Sequence, residues 1–136
     1  MEIEFENKDK IIRLPKATLR INQEGLMFVH FSANDVFDLE DCFDYEQAVI
    51  KICNHKPHPI IIDASFVKHG YMTYAARDYI ARSKQLKSIR KSNAFVVNSL
   101  TTKLMAKAYV IINRPNCPAK IFNDMNKAIE WSLQFR

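Results

Sequence analysis

Seven residues in the middle of the chain, from Pro59 to Ser65, constrain the fold more than any other segment. They read Pro-Ile-Ile-Ile-Asp-Ala-Ser, and the three consecutive β-branched residues are too few and too uniformly apolar for a surface helix. Such a run is typical of a strand buried on both faces, as in a parallel sheet covered by helices. Because the run ends at Asp63, the segment predicts a polar loop at the carboxyl end of a strand, where open α/β sheets place ligand sites.

The segments around this strand predict alternating helices and strands. Ala17–Asn22 and Leu26–Ser32 are predicted to form an antiparallel hairpin with a turn at Gly25, which Lys10–Leu14 can extend. The later strands are predicted over Asn93–Asn98 and Ala119–Phe122, and four helices over Asp38–Cys53, Thr73–Lys87, a segment that begins at Ser99 or Thr101, and Met125–Phe135. This order predicts a single α/β domain over residues 1–136, with a mixed sheet that is mostly parallel in its second half.

Helical periodicity also predicts which faces of the helices are buried. In the second helix the inward residues are predicted to be Ala75, Ala76, Tyr79, Ile80, Ser83 and Leu86. In the third helix the predicted buried stripe is Leu104, Ala108, Ile111 and Ile112.

Composition and motif spacing exclude several classes of protein. With Gly25 and Gly70 as the only glycines, neither the glycine-rich nucleotide cradles nor the G-x-S-x-G elbow of hydrolases can be written. Cys42, Cys53 and Cys117 are odd in number and never spaced C-x-x-C, which argues against a disulfide framework or a zinc site. His55 and His58 are three residues apart but lie in a proline-bounded loop and not on one helical face, and His30 has no neighbouring ligand in the sequence. No metal and no cofactor is therefore predicted. No apolar run reaches the roughly 18 residues of a membrane span, and the charged start differs from a secretory signal. A cytoplasmic protein is expected.

Charge is distributed unevenly along the chain. Residues 35–46 carry six acidic side chains and no basic one, whereas residues 77–107 carry eight lysines or arginines against Asp78 alone. Three interpretations stay open: two solvated helix faces, steering of anionic partners, or pairing between the basic face of one copy and the acidic face of another in a homodimer. Nucleic-acid binding is disfavoured because no recognised motif is present and aromatic residues do not interleave with the basic ones.

The loop after Asp63 is the candidate site. It combines a carboxylate, hydroxyls, a lysine and a histidine before a helix N-terminus, where backbone N–H groups can bind an anion. The candidate residues are Asp63, Ser65, Lys68, His69, Gly70, Tyr71 and Thr73. The alternative interpretation is that Asp63 satisfies backbone N–H groups while Ser65 forms a local turn. Nothing supplies an oxyanion hole, so Ser65, His69 and Asp63 do not predict a catalytic triad, and no enzymatic activity is expected.

These residues also resemble a known family. Asp63-Ala-Ser-Phe66 is similar to the strand-to-loop signature of STAS domains, the SpoIIAA-like anti-sigma factor antagonists. From about residue 15 to 135 the chain resembles small uncharacterised bacterial STAS-like proteins, through Val97-Asn-Ser99, Pro118, Lys120-Ile-Phe122-x-Asp124, Ala128 and Trp131. The resemblance implies a SpoIIAA-like sandwich and a non-enzymatic regulatory or protein-interaction module. Where the antagonists carry a regulatory Asp-Ser-Ser, this chain has Lys68-His-Gly70, so the usual phosphoacceptor serine is missing.

Two functions follow as alternatives. The first is a regulatory module that binds another protein through the loop Lys68–Thr73 and the face of the second helix. The second is a binder of a small anionic metabolite or lipid, held between the carboxyl edge of the sheet and the basic helices. The sequence does not identify the partner, the ligand or the biological process.

Overall fold

The computed structural model describes residues 1–32, 35–67 and 71–136. Within them the strands are β1 (Glu4–Glu6), β2 (Asp9–Arg13), β3 (Ala17–Ile21), β4 (Met27–Phe31), β5 (Val36–Phe37), β6 (His58–Asp63), β7 (Tyr71–Met72), β8 (Arg90–Val96) and β9 (Ala119–Phe122). The α-helices are α1 (Leu39–Cys53), α2 (Tyr74–Arg82), α3 (Lys84–Ile89), α4 (Leu100–Ala108) and α5 (Met125–Ser132). A π-helical segment (Tyr109–Asn113) continues α4, and a 3₁₀ turn (Leu133–Phe135) continues α5.

Seven of these strands form one mixed sheet in the order β1-β2-β3-β4-β6-β8-β9. Neighbours among the first four strands are antiparallel, whereas β4, β6, β8 and β9 pair in parallel. The turn between β3 and β4 has Gly25 at a φ of 85°, a conformation that glycine adopts without steric cost. The remaining two strands, β5 and β7, pair in parallel beside the main sheet. The predicted hairpin and the mostly parallel second half of the sheet are therefore confirmed.

The strand β6 is buried on both faces of the sheet, as its isoleucine run predicts. Ile60 belongs to a large core that joins the sheet to α1, α2, α3 and α4, on what we call the four-helix face. Ile61 belongs to a smaller core with Ala128 of α5, on what we call the α5 face. Successive residues of a strand point to opposite faces, so one short apolar run supplies both cores.

The start of α1 is set by local side-chain chemistry. Asp38 accepts a hydrogen bond from the backbone of the helix, and the Asp41 side chain accepts one from the Asp38 backbone N–H, which forms a capping box. At the other end, Asn54 takes the left-handed conformation typical of a helix C-terminus. The helix therefore spans the residues that the sequence predicts for it.

The predicted second helix, Thr73–Lys87, is wrong in one respect, because it is two helices. The backbone leaves the helical conformation at Ser83, where ψ is 123°. The Ser83 hydroxyl accepts a hydrogen bond from the Leu86 backbone N–H at 3.2 Å, and so caps a new helix, α3. Ala75, which was predicted to face inward, is exposed.

The predicted buried stripe of the third helix is also wrong. Leu104, Ile111 and Ile112 are 54%, 65% and 57% exposed. The buried side consists instead of Thr102, Ala106, Tyr109 and Asn113. Ser99 and Thr102 cap the start of the helix through reciprocal hydrogen bonds, while Ala106 and Tyr109 pack into the core on the four-helix face. The more apolar side consequently faces outward.

Candidate functional site

A cavity of about 120 Å³ lies between the four-helix face of the sheet and the helices that cover it. At one end it is lined by residues that end or follow the parallel strands, such as Phe31, Ala64 and Val97. Exposed residues, including Asp35 and Tyr71, line this outer end. The opposite end reaches Arg90, at the start of β8. The cavity thus runs inward from the carboxyl edge of the sheet.

Most of the cavity wall is apolar. The sheet contributes Ile60, Ile62 and Phe95, and α4 contributes Met105 and Ala106. Further apolar lining residues come from α1, α2 and α3 and are Tyr45, Val49, Ile80, Leu86 and Ile89. A cavity with such a lining favours the apolar part of a ligand.

The inner end carries a buried guanidinium. Arg90 is 6% exposed, and its Nη1 donates to the Ile80 carbonyl at 3.0 Å and to the Tyr109 hydroxyl at 3.1 Å. Its Nη2 donates to the Ala81 carbonyl at 2.7 Å, and its Nε to Asn116 Oδ1 at 2.9 Å. These acceptors are carbonyls, an amide and a hydroxyl, so within the described residues Arg90 has no carboxylate partner.

The C-terminus of α2 reduces the cost of this buried charge. Ile80 and Ala81 lie in the last turn of α2, whose carbonyl end carries partial negative charge. The Tyr109 hydroxyl accepts a hydrogen bond but adds no negative charge, because burial raises its pKa to about 12. Arg90 therefore closes the C-terminus of α2 while keeping a full positive charge at the inner end of the cavity.

A second arginine lines the cavity nearer its outer end. Arg77 Nη1 donates to the Met72 carbonyl at 3.0 Å, and its Nε donates to Asn113 Oδ1 at 3.2 Å. At the outer end, Lys16 Nζ lies 2.9 Å from Asp41 Oδ2, a hydrogen bond that raises the pKa of Lys16. Lys16 is thus already paired with a carboxylate, and the two arginines are the cavity's basic groups without such a partner among the described residues.

Asp63, the first of the predicted site residues, is 5% exposed and lies outside the cavity. Its Oδ1 accepts hydrogen bonds from the Ser65 hydroxyl at 2.6 Å and the Ser65 backbone N–H at 3.0 Å. Its Oδ2 lies 2.9 Å from His30 Nδ1. Burial raises the pKa of Asp63, but the hydrogen bonds from His30 and Ser65 outweigh burial and lower it below the usual value.

The contact between His30 and Asp63 was not predicted from the sequence. His30 lies in β4, and the parallel register of β4 and β6 places it directly beside Asp63. Because Ser65 donates its hydroxyl hydrogen to Asp63 and His30 contacts the other carboxylate oxygen, the imidazole has no contact with the serine hydroxyl. The arrangement is a buried turn held by a carboxylate, not a nucleophile activated by a base. Pairing the ends of two predicted neighbouring strands was the one sequence signal that could have found it.

Thr73 and Tyr71 lie at the other end of the candidate loop. Thr73 is the N-cap of α2, and its hydroxyl accepts from the Ala76 N–H and donates to Asp38 Oδ1 at 2.8 Å. It therefore joins the starts of α1 and α2, and together with the Leu39 N–H it lowers the pKa of Asp38. Tyr71 is half exposed at the outer end of the cavity, next to Val36 in β5.

The seven predicted site residues therefore separate into groups. Asp63 and Ser65 form the turn beside His30, whereas Tyr71 and Thr73 border the cavity and the start of α2. Lys68, His69 and Gly70 lie outside the described residues. The residues that line the inner end of the cavity, above all Arg90, were not predicted, because no local motif marks a charge buried by packing.

Two further features of the structure concern metal binding and membrane crossing. Among the residues that the structure describes, no group of three or more histidines, cysteines or carboxylates is arranged to hold a metal ion. In the same part of the chain, none of the helices has both the length and the apolar character needed to cross a membrane.

Comparisons with known proteins agree with the fold. The family model described as "Domain of unknown function (DUF7793)" matches residues 19–136. Among solved structures, the chain is similar to an uncharacterized protein from the DUF3478 family with a SpoIIAA-like fold, from Shewanella loihica PV-4. The two share 14% sequence identity and a TM-score of 0.57, with 91% of each chain covered. No curated protein matches the sequence. The SpoIIAA-like fold predicted from the sequence is thereby confirmed.

Proposed function

Since this chain belongs to the DUF7793 family and has a SpoIIAA-like fold, we propose that it is a non-enzymatic module that binds a small ligand in the cavity. The observation that carries the proposal is an apolar cavity of about 120 Å³ with, at its inner end, the buried guanidinium of Arg90, which has no carboxylate partner among the residues that the structure describes. An engineered apolar cavity of roughly 150 Å³ binds benzene, so a compact apolar group is a suitable occupant by size.

The ligand class follows from the polar groups of the cavity. The guanidinium of Arg90 has five N–H groups, and its hydrogen bonds to described residues use four of them. We propose that a ligand accepts from the fifth, on Nη2. A buried cation gains most from an anionic acceptor, because the low local dielectric strengthens their attraction. Because the cavity is smaller than the one that holds benzene, we therefore expect a short-chain aliphatic monocarboxylate, which agrees with the anionic ligand proposed as an alternative from the sequence.

A thermal-shift series tests the proposal. Short-chain aliphatic monocarboxylates are compared with their neutral amides, and a ligand of the native state raises the melting temperature with ligand concentration. The variant Ala106→Leu fills part of the cavity, and Ala75→Leu makes the same change at an exposed position. We expect the acids to stabilise the wild type and Ala75→Leu, but not Ala106→Leu. No shift with any acid, or equal shifts in all three proteins, would contradict cavity binding.

A second candidate function, protein interaction through the predicted loop, is favoured by a different observation. Phe66 before the predicted loop Lys68–Thr73, Tyr71 within it and Tyr74 just after it are large exposed aromatic side chains. Exposed aromatic residues are enriched in protein interfaces. All three residues lie in the predicted loop or within two positions of it in the sequence.

Pull-down from native lysate tests this second function. The double variant Phe66→Ser/Tyr74→Ser removes two of the aromatic side chains, and Phe5→Ser is a matched control because Phe5 in β1 is similarly exposed. A partner retained by the wild type and by Phe5→Ser but lost from the double variant supports the loop surface. Identical partner sets for all three proteins would exclude it.

A further inference from the structure

The outward side of α4 and of the π-helical segment after it carries an apolar ridge. Leu100, Leu104, Ile111 and Ile112, which we call the α4 ridge, each expose more than half of their surface, and Leu100 exposes 71%. Large aliphatic side chains exposed together mark an interaction surface more often than a solvated face. The ridge residues do not belong to the core, because Thr102 and Ala106 already occupy the buried side of α4.

The ridge is flanked by positive charge. Lys103 and Lys107 of α4 and Arg114 just beyond the π-helical segment are exposed, and within the described residues none of the three forms an ion pair. The chain has no acidic residue from Tyr79 to Asn123. The cations at the ridge therefore have no acidic residue on their own helix or in the segments next to it in the sequence.

Aliphatic side chains combined with unbalanced cations are characteristic of helices that lie in the interface of a bilayer. We propose that the α4 ridge and its flanking cations dock on an anionic lipid bilayer, with the helix lying along the surface and not crossing it. The aliphatic side chains would enter the headgroup region, while the lysine stems lie along it and keep their ammonium groups near the lipid phosphates. The inference does not depend on the ligand of the cavity.

A second copy of the chain fits this surface less well. The acidic first turns of α1, with Glu40 and Asp44, have the complementary charge. A contact between α4 of one copy and α1 of the next joins two different surfaces, so it closes only in a ring and otherwise continues as a polymer. A bilayer needs no complementary patch on the protein. Its acyl boundary matches the apolar side chains of the ridge, and its anionic headgroups match the flanking cations.

Vesicle co-sedimentation of the full chain tests the proposal. Vesicles of phosphatidylcholine alone are compared with vesicles of phosphatidylcholine and phosphatidylserine in roughly equal parts, at low and high salt. We expect binding to the mixed vesicles that weakens with salt, because each lysine near an anionic surface strengthens binding roughly fivefold. Equal sedimentation with both kinds of vesicle would overturn the proposal.

Two pairs of variants separate the ridge from net charge. Lys103→Glu/Lys107→Glu should weaken binding to mixed vesicles more than tenfold, by the same fivefold contribution per lysine. Lys56→Glu/Lys91→Glu makes an equal change of net charge at exposed positions outside the ridge and should weaken binding far less. Equal losses in the two double variants would show that only total charge matters, and would overturn the docking surface.

The aliphatic part of the surface needs its own test. Leu104→Ser/Ile111→Ser should lose binding to mixed vesicles while its thermal melt stays close to that of the wild type, since both side chains are exposed. Sedimentation equilibrium without lipid is run in parallel. Self-association that these two substitutions abolish, without any vesicle binding by the wild type, would assign the ridge to a second copy and overturn the membrane proposal.

Discussion

Replacing Asp63 should destabilise the fold by an amount that depends on which hydrogen bonds the new side chain keeps. The carboxylate accepts two hydrogen bonds from Ser65 and contacts His30, and it is almost fully buried. In Asp63→Ala three donors lose their acceptor, at about 1 kcal/mol each, so the free energy of unfolding should fall by about 3 kcal/mol. In Asp63→Asn the remaining carbonyl oxygen can still accept both bonds from Ser65, and the expected loss is about 1 kcal/mol.

Urea unfolding followed by circular dichroism measures the stability of both variants, with Asp44→Ala as an exposed control that should stay within about 0.5 kcal/mol of the wild type.

The pH dependence of stability gives a second, independent measurement. Because the folded-state pKa of Asp63 is lowered, its stabilisation is present above the unfolded-state pKa of about 3.9 and is lost as the pH falls through the folded-state pKa. The stability difference between the wild type and Asp63→Asn should therefore shrink below about pH 4.

A loss in Asp63→Ala no larger than that in Asp44→Ala would refute this reasoning. So would a difference between wild type and Asp63→Asn that stays constant through the acid range. Either result would mean that the carboxylate does not hold the turn between β6 and the loop.

Three further predictions concern the core, a helix cap and the thiols. Ile61→Ala should lower the free energy of unfolding by about 2–5 kcal/mol, because Ile61 is fully buried on the α5 face, whereas Ile111→Ala should lower it by less than about 0.5 kcal/mol. Equal losses in urea unfolding would show that the burial of α4 has been assigned to the wrong side. Ser99→Ala removes one half of the capping box of α4 and should cost about 1 kcal/mol, whereas Ser99→Asn should keep most of it; the thermal melts of the two variants check this. Burial raises the pKa of Cys42 and Cys53 to about 12. At about pH 8 a disulfide reagent should therefore react slowly with these two thiols in the native protein, and rapidly with all three cysteines in urea. Rapid reaction of Cys42 or Cys53 in the native protein would contradict their burial.

Some of the site could be predicted and some could not, for a reason visible in Asp63. The sequence places Asp63 and Ser65 two residues apart, and the turn between them forms through contacts within that short segment. His30 lies 33 residues away and meets Asp63 only because β4 and β6 are neighbours in one register. The acceptors of Arg90 come from three separate places, α2, the π-helical segment and Asn116, which lie 9 to 26 residues from it in the sequence. Such contacts depend on how whole elements pack, and no local pattern encodes them.

Helices α1 and α4 show the same difference between what the sequence predicts and what packing decides. α1 spans the predicted residues because its cap, its apolar periodicity and its C-terminal Asn54 all lie within the helix or next to it. For α4 the periodicity correctly indicates an amphipathic helix, but the apolar side faces outward and the Thr102 side is buried. Periodicity shows that the two sides of a helix differ in side-chain polarity, but packing decides which side lies against the sheet.

The order of the main helices and strands, the buried Ile-Ile-Ile strand and the absence of glycine-rich cradles could be inferred from the chain alone, because they depend on residue type, spacing and periodicity along a few neighbouring residues. The SpoIIAA-like fold followed from the resemblance to STAS-like proteins, and β1, β5, β7 and the division between α2 and α3 were not predicted. The cavity, its buried guanidinium, the His30–Asp63 contact and the outward apolar ridge appear only in the folded chain. They arise where elements distant in sequence meet, and their positions are set by the packing of helices across the sheet.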